Sequence, residues 1–150
     1  LYFYDKTHHA IGLSHSGWRG TVQRMGQKTI DAMAKAYGTR PEDLKVIIGP
    51  SICQSCYEVS EEVADAFVAE FGSNRKDQLL MDKGNGKYQL DLWRANELVF
   101  ADAGLEPGQI ETAGLCTCCH PDLLFSHRAS HGKRGNMAAV LTLGGKNHES

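Results

Sequence analysis

Ala10-Ile11-Gly12-Leu13-Ser14-His15-Ser16-Gly17-Trp18-Arg19-Gly20-Thr21 decides how the chain is read. An apolar run with period-two spacing ends at a histidine and then turns through two glycines into a segment of helical spacing. Taking residues 10–15 as a strand, Ile11, Leu13 and His15 share one parity, so the imidazole is expected on the face that buries the aliphatics, at the strand's far end. Val22, Met25, Ile30, Met33 and Tyr37 form the apolar stripe of one following helix, and Gly38 closes it. Such a turn gathers His15, Arg19 and the unpaired N–H groups of a helix start near Gly20 and Thr21, chemistry that suits a metal, a proton transfer or an anion. A lone inward histidine is more often a satisfied core residue, and Trp18 serves core or substrate platform equally well.

Outward from this block, residues 1–4 read as a strand hairpinned to the first through Asp5-Lys6-Thr7-His8. Lys45-Val46-Ile47-Ile48-Gly49 has the β-branched density of a buried strand, and a polar loop at 50–59 carries Cys53 and Cys56. Ser60 is the expected N-cap of a helix whose Val63, Phe67 and Phe71 face a core, with Gly72 ending it. A polar loop at 73–78 leads to Leu79-Leu80-Met81, a hairpin turn at Gly84-Asn85-Gly86, and Tyr88-Gln89-Leu90. Asp91 is placed to cap a third helix ending at Gly104. Late strands are expected at 110–115 and 137–143, separated by a Cys/His-rich loop at 116–136. With no internal repeat, the pattern is one α+β domain of layered mixed sheets with flanking helices.

At 150 residues, 41% hydrophobic with 16 glycines, the chain has the composition of a folded domain. Its 16 Lys+Arg against 18 Asp+Glu give a net charge of −2 and a pI near 6.4, so no global field attracts nucleic acid or an anionic membrane. Mean hydropathy is −0.37, and no run reaches the roughly 20 apolar residues of a membrane span. Five cysteines, an odd number without a signal peptide, point to a reducing compartment and a cytoplasmic protein. The opening Leu1-Tyr2-Phe3-Tyr4, apolar and lacking an initiator Met, reads as the interior of a longer chain.

Cys53 and Cys56 form a CxxC, while Cys116, Cys118, Cys119 and His120 form a second group of soft ligands. Cys56 and Cys116 lie 60 positions apart, against about 12–20 residues in compact zinc ribbons, which makes buried thiols the commoner expectation. Cys56 also precedes the cap Ser60 by four residues, a poor match to a thioredoxin-like pair. Arg128 follows Phe125-Ser126-His127 and should be fixed near the core, where a guanidinium can hold phosphate or carboxylate. Lys133 and Arg134 read as a solvated basic loop. GxGxxG, Walker, GxSxG and HExxH motifs are absent, which excludes the usual dinucleotide, nucleotide-hydrolase and protease assignments.

His15-Ser16-Gly17-Trp18-Arg19-Gly20, Ile48-Gly49-Pro50-Ser51-Ile52 with Cys56-Tyr57-Glu58-Val59, and Cys116-Thr117 with Phe125-Ser126-His127-Arg128 together resemble the YfiH/YlmD-type laccase-domain family. That family is described as polyphenol oxidoreductases or purine nucleoside phosphorylases. Two departures are visible, Ser16 in place of the usual Ala and Ala129 in place of a second basic residue, and neither removes a metal ligand. The resemblance implies a YfiH-like fold with suggested cysteine-hydrolase kinship. It also implies a zinc site of His, Cys and His in which His15 is the last ligand. The other two ligands belong to segments before His15, and every cysteine here follows it. Residues 1–150 therefore read as the C-terminal portion of a single longer domain whose N-terminal part, absent from this chain, is its partner.

The implied activity is zinc-dependent phosphorolysis of adenosine, inosine and methylthioadenosine, with adenosine deamination beside it. Copper-dependent phenol oxidation is the older description, but seven histidines fall short of a multicopper set. On this reading His15, Arg19 and Arg128 are catalytic, and Gly17, Trp18, Gly20, Thr21 and Tyr57 bind nucleoside and phosphate. Two other readings stand beside it. One is a peptidoglycan-precursor-editing cysteine-type amidohydrolase in which His15 is the base for a cysteine upstream. The other is a non-catalytic zinc module of Cys53, Cys56, Cys116 and Cys118 or Cys119.

Overall fold

A computed structural model describes residues 1–133 and 135–144. Four strands form the first sheet: β1 (Tyr2–Asp5), β2 (Ala10–Leu13), β3 (Leu44–Ile48) and β7 (Ile110–Thr112), in the order β2-β1-β3-β7. β1 pairs antiparallel with both β2 and β3, while β3 and β7 run parallel. The second sheet, order β4-β6-β5, holds β4 (Glu58–Ser60), β5 (Leu80–Gly84) and β6 (Lys87–Leu90), all antiparallel. The helices are α1 (Trp18–Val22), α2 (Met25–Tyr37), α3 (Glu61–Phe71), α4 (Lys76–Leu79) and α5 (Leu92–Asp102).

The expected α+β architecture of layered sheets with flanking helices is present, with the first sheet mixed and the second wholly antiparallel. α5 joins the layers: Leu98 and Val99 pack with Phe67, Leu79 and Leu90 under the second sheet, and Phe100 packs with Phe3, Ile30 and Val46 under the first. The Phe3 and Phe100 rings meet edge to face at 5.7 Å, a favoured aromatic geometry.

Four sequence expectations are corrected. The helix after His15 is two helices, because Arg24 at their junction adopts a left-handed φ of 56°. The Val22–Met25 spacing continues the apolar stripe across this break, so periodicity alone conceals it. The parity of β2 that faces α2 is Ala10 and Gly12, and Leu13 is 42% exposed. α2 packs so close that a Cβ on Gly12 would sit 2.6 Å from Met33 Sδ, which leaves the larger Ile11, Leu13 and His15 for the other face. Part of the 73–78 loop is helical, as a 3₁₀ turn followed by α4. The segment 137–143, expected as a strand, is irregular: Met137, Val140 and Leu143 are exposed, and among the described residues no strand pairs with it.

Other local expectations coincide with the structure. Asp91 caps α5, its carboxylate accepting from the Arg94 N–H at 2.9 Å, and Gly38 ends α2 at φ 75°. Ser60 is the N-cap of α3 without a side-chain cap bond, and Gly84-Asn85-Gly86 turns β5 into β6. Among the described residues no helix is long and apolar enough to cross a membrane.

Candidate functional site

The parallel pair β3 and β7 places the chain after Ile48 beside the chain after Thr112, and the pairing extends beyond the strands. Ala113 N donates to Ile48 O, Ser51 N to Leu115 O and Thr117 N to Ser51 O, at 2.9–3.2 Å. β2 ends at the same side of the sheet, where Leu1 and Ser14 exchange backbone bonds. A cavity of about 1120 Å³ opens there. Sheet ends where several strands deliver loops are common sites of ligand chemistry, because a rigid ladder positions irregular backbone.

His15, Gly17, Tyr57 and Arg128 all line this cavity, together with Ser126, His127 and Asn96. The His15 ring is exposed, and among the described residues it makes no side-chain hydrogen bond. A Cβ on Gly17 would lie 3.5 Å from His15 Nε2, so glycine keeps that flank of the imidazole open. Arg128 stacks its guanidinium 5.5 Å from the Tyr57 ring centre and donates from Nη1 to Glu58 O at 2.9 Å. Burial pushes the half-buried Tyr57 phenol up, against the pull of Arg128 and Arg19.

Trp18, Arg19, Gly20 and Thr21 are not among the cavity's lining residues. Arg19 lies over Trp18, 4.3 Å from the ring centre, and Trp18 packs against the core shared by α3 and α5. Thr21 is fully buried; its hydroxyl donates to Gly17 O at 3.0 Å and meets Ser16 Oγ and Asn96 Nδ2. Its N–H is spent on Gly17 O at 2.8 Å. The helix begins at Trp18 with Gly17 as N-cap, so Gly20 and Thr21 lie inside it. The Thr21 N–H is therefore not free, whereas Gly20 is still within the first turn, whose N–H groups have no partner inside the helix; the Thr21 hydroxyl fastens the His15 turn to α5.

Sequence reasoning missed Asn96 and His127 at the site. Asn96, 2% exposed, ties α5 to the turn through Thr21 Oγ1 and Ser16 Oγ; a polar residue on the covered stripe of α5 was the available signal. Arg134 lies outside the described residues, and Lys133 is exposed, as a solvated loop requires.

Beside the cavity the fold assembles the two cysteine groups. The sulfurs of Cys53, Cys56, Cys116 and Cys119 all lie within 4.8 Å of one another. Cys56 Sγ is 3.5 Å and Cys53 Sγ 4.0 Å from Cys119 Sγ, and Cys53 N donates to Cys116 Sγ at 3.3 Å. Burial opposes ionisation of Cys53, yet hydrogen bonds from Ser55, Cys116 and Cys56 outweigh it and bring the thiol down to about 6. Cys56 is pushed up, chiefly by its contact with Cys119.

A half-covered mixed sheet, with an imidazole and a guanidinium facing one open cavity at its strand ends, defines an α+β fold with a ligand-sized site. The chain belongs to the multi-copper polyphenol oxidoreductase laccase family, whose sequence profile matches residues 1–144. It is 38% identical over 141 residues to the Bacillus subtilis purine nucleoside phosphorylase YlmD, covering 94% of this chain and 50% of that protein. It is 36% identical over 119 residues to adenosine deaminase RL5 of an unknown prokaryotic organism, covering 79% of this chain and 44% of that one. The crystal structure of the Bacillus licheniformis hypothetical protein YfiH superposes with a TM-score of 0.81 at 35% identity, over 88% of this chain and 49% of that one. The chain thus spans about half the length of the curated relatives it matches.

Proposed function

We propose that the whole protein containing this chain is a cytoplasmic purine nucleoside phosphorylase. Its substrates on this reading are adenosine, inosine and methylthioadenosine, and adenosine deamination accompanies the main reaction. The observation that carries the reading is one open cavity of about 1120 Å³ faced by His15, Tyr57 and Arg128, in a family with relatives named for phosphorolysis and deamination. The five thiols, all free, agree with a reducing compartment.

An exposed imidazole on the cavity wall, committed to no hydrogen bond among the described residues, suits a metal ligand. No described trio of metal-donor side chains includes it. On this reading His15 gives one ligand of a zinc ion, and the preceding half of the protein gives the other two. Zinc bound there would supply Lewis acidity and a water ionising near pH 7. In phosphorolysis a phosphate oxygen bonds to the anomeric carbon as the glycosidic C–N bond breaks and the purine departs with the bonding pair. Arg128 is the residue of this chain best placed to hold the phosphate, since one of its five donors is anchored on Glu58 O and the others remain to orient the anion. Arg19, which lies outside the cavity lining, adds positive potential felt at Tyr57. Tyr57, held under Arg128, offers a ring face to a purine, and Gly17 leaves backbone close to the ligand.

The test uses the full-length protein with inosine and inorganic phosphate. His15→Ala is expected to abolish hypoxanthine release, and Arg128→Ala to raise the KM for phosphate about tenfold or more, the worth of a lost charge-assisted pair. Equal hypoxanthine release by wild type and His15→Ala overturns the reading.

A further inference from the structure

The sequence separation that argued against a cysteine metal site is cancelled by topology. Cys53-Gln54-Ser55-Cys56 follows β3, and Cys116-Thr117-Cys118-Cys119 follows β7, so each is a CxxC leaving one of two adjacent parallel strands. The Ser51–Cys116 bridge carries the pairing to the first cysteine of the second motif. Two motifs 60 positions apart in sequence thereby meet at one end of one sheet.

We propose that Cys53, Cys56, Cys116 and Cys119 form a tetrathiolate zinc site that clips the loop after β3 to the loop after β7. A zinc–sulfur bond of about 2.3 Å in a tetrahedron sets the sulfurs about 3.8 Å apart. The observed 3.5 and 4.0 Å separations to Cys119, and the 4.8 Å limit on all six pairs, bracket that value. A disulfide requires about 2.05 Å and joins only two of the four. The Cys53 N–H directed at Cys116 Sγ is the kind of outer contact that steadies a ligating thiolate. Four sulfurs gathered within 4.8 Å of one another cannot all carry charge without a cation between them, and a divalent ion lets all four ionise. Thiolate donors select soft or borderline ions, and with all four positions filled by protein the site is structural.

The site is separate from His15, and its consequence is positional. Cys116 and Cys119 begin the segment whose Ser126, His127 and Arg128 line the cavity, while Cys56 precedes Tyr57. One ion at this point fixes both the Tyr57 and the Arg128 sides of the cavity.

The test is cobalt substitution of the full-length protein, purified under reducing conditions. Wild type is expected to show the intense sulfur-to-cobalt charge-transfer and tetrahedral ligand-field bands of a tetrathiolate site. His15→Ala and Cys118→Ser should keep those bands, whereas Cys119→Ser and Cys56→Ser should lose them together with about one equivalent of bound zinc per chain. Loss in His15→Ala alone would assign the signal to the other site and overturn the proposal. So would wild-type protein without thiolate bands, or a Cys56–Cys119 disulfide in protein kept reduced. The wild-type spectrum decides the matter even where a cysteine variant does not fold.

Discussion

Arg24 shows how one side chain fixes a backbone conformation that the residue would not choose. Its left-handed φ of 56° is unfavourable for a non-glycine residue by about 1 kcal/mol. The guanidinium is held by Glu70, by Asp102 at 3.0 Å, and over the Phe71 ring at 5.4 Å. Asp102 also takes two bonds of 2.8 Å from Arg75. Arg75, with Arg24 behind it, outweighs partial burial and holds the Asp102 carboxyl below its usual range. A carboxyl depressed on folding stabilises the fold above its unfolded value near 3.9, and that contribution is lost as the pH falls through the folded value. Asp102→Asn is therefore expected to lower unfolding stability by about 1 kcal/mol at pH 7, the partial exposure of the network limiting the effect. Urea titrations should show the gap from wild type shrinking as the pH drops below about 4; a gap independent of pH would contradict the charge argument. Little of this was legible beforehand, since Arg24, Glu70 and Asp102 are far apart in sequence. His15 and Arg128 stood out in the sequence through the blocks they belong to, but the face from which His15 emerges was not legible, because the cover that α2 lays over Ala10 and Gly12 comes from elsewhere in the chain.

At the scale of elements, the signals that could be read were those with local chemistry. Asp91 announces the start of α5 by its own hydrogen bond, and Asp91→Ala should cost about 1 kcal/mol in thermal or urea unfolding, as loss of an N-cap does. The parity of β2 was misread for a reason that lies elsewhere in the chain. Small residues at positions 10 and 12 are the mark of a tightly covered face, and only the presence of Met33 on α2 makes them so. The same logic governs Gly26, where α2 crosses α5: an added Cβ would meet Phe100 Cε1 at 2.8 Å and Val99 Cγ1 at 3.3 Å. Alanine is the better helix former by about 1 kcal/mol, yet overpacking of a tight interface costs about 1–3 kcal/mol. Gly26→Ala is accordingly expected to destabilise. Gly108→Ala, where nothing lies within 4 Å of the added Cβ, should change stability by less than about 0.5 kcal/mol. Equal effects at the two positions in urea unfolding would refute the close-approach account.

The whole molecule is a layered fold with one layer uncovered. α2 and α5 bury Phe3, Ala10, Leu44, Val46 and Ile48 on one face of the first sheet. The opposite face carries Leu13, Tyr2 and Ile47 in register across three strands, with Tyr4 one pleat away. Leu13, Tyr4 and Ile47 are 40–42% exposed, and Met137 and Val140 are exposed as well. A contiguous apolar face of this kind is a contact surface waiting for its partner. On the proposed reading, in which this chain is the C-terminal portion of a protein about twice its length, the expected occupant of this face is the remaining half of that protein. Composition could not disclose this, since it counts apolar residues without saying which face they share. The assignment makes opposite demands on the chain alone and on the whole protein. In the chain of residues 1–150, the double substitution Leu13→Lys with Ile47→Lys should leave unfolding stability within about 0.5 kcal/mol and reduce self-association in sedimentation velocity. In the full-length protein those lysines would be buried without partners, so the same pair should lower the melting temperature sharply. An unchanged melting temperature in the full-length protein would mean that this face stays in water and that the two halves meet elsewhere.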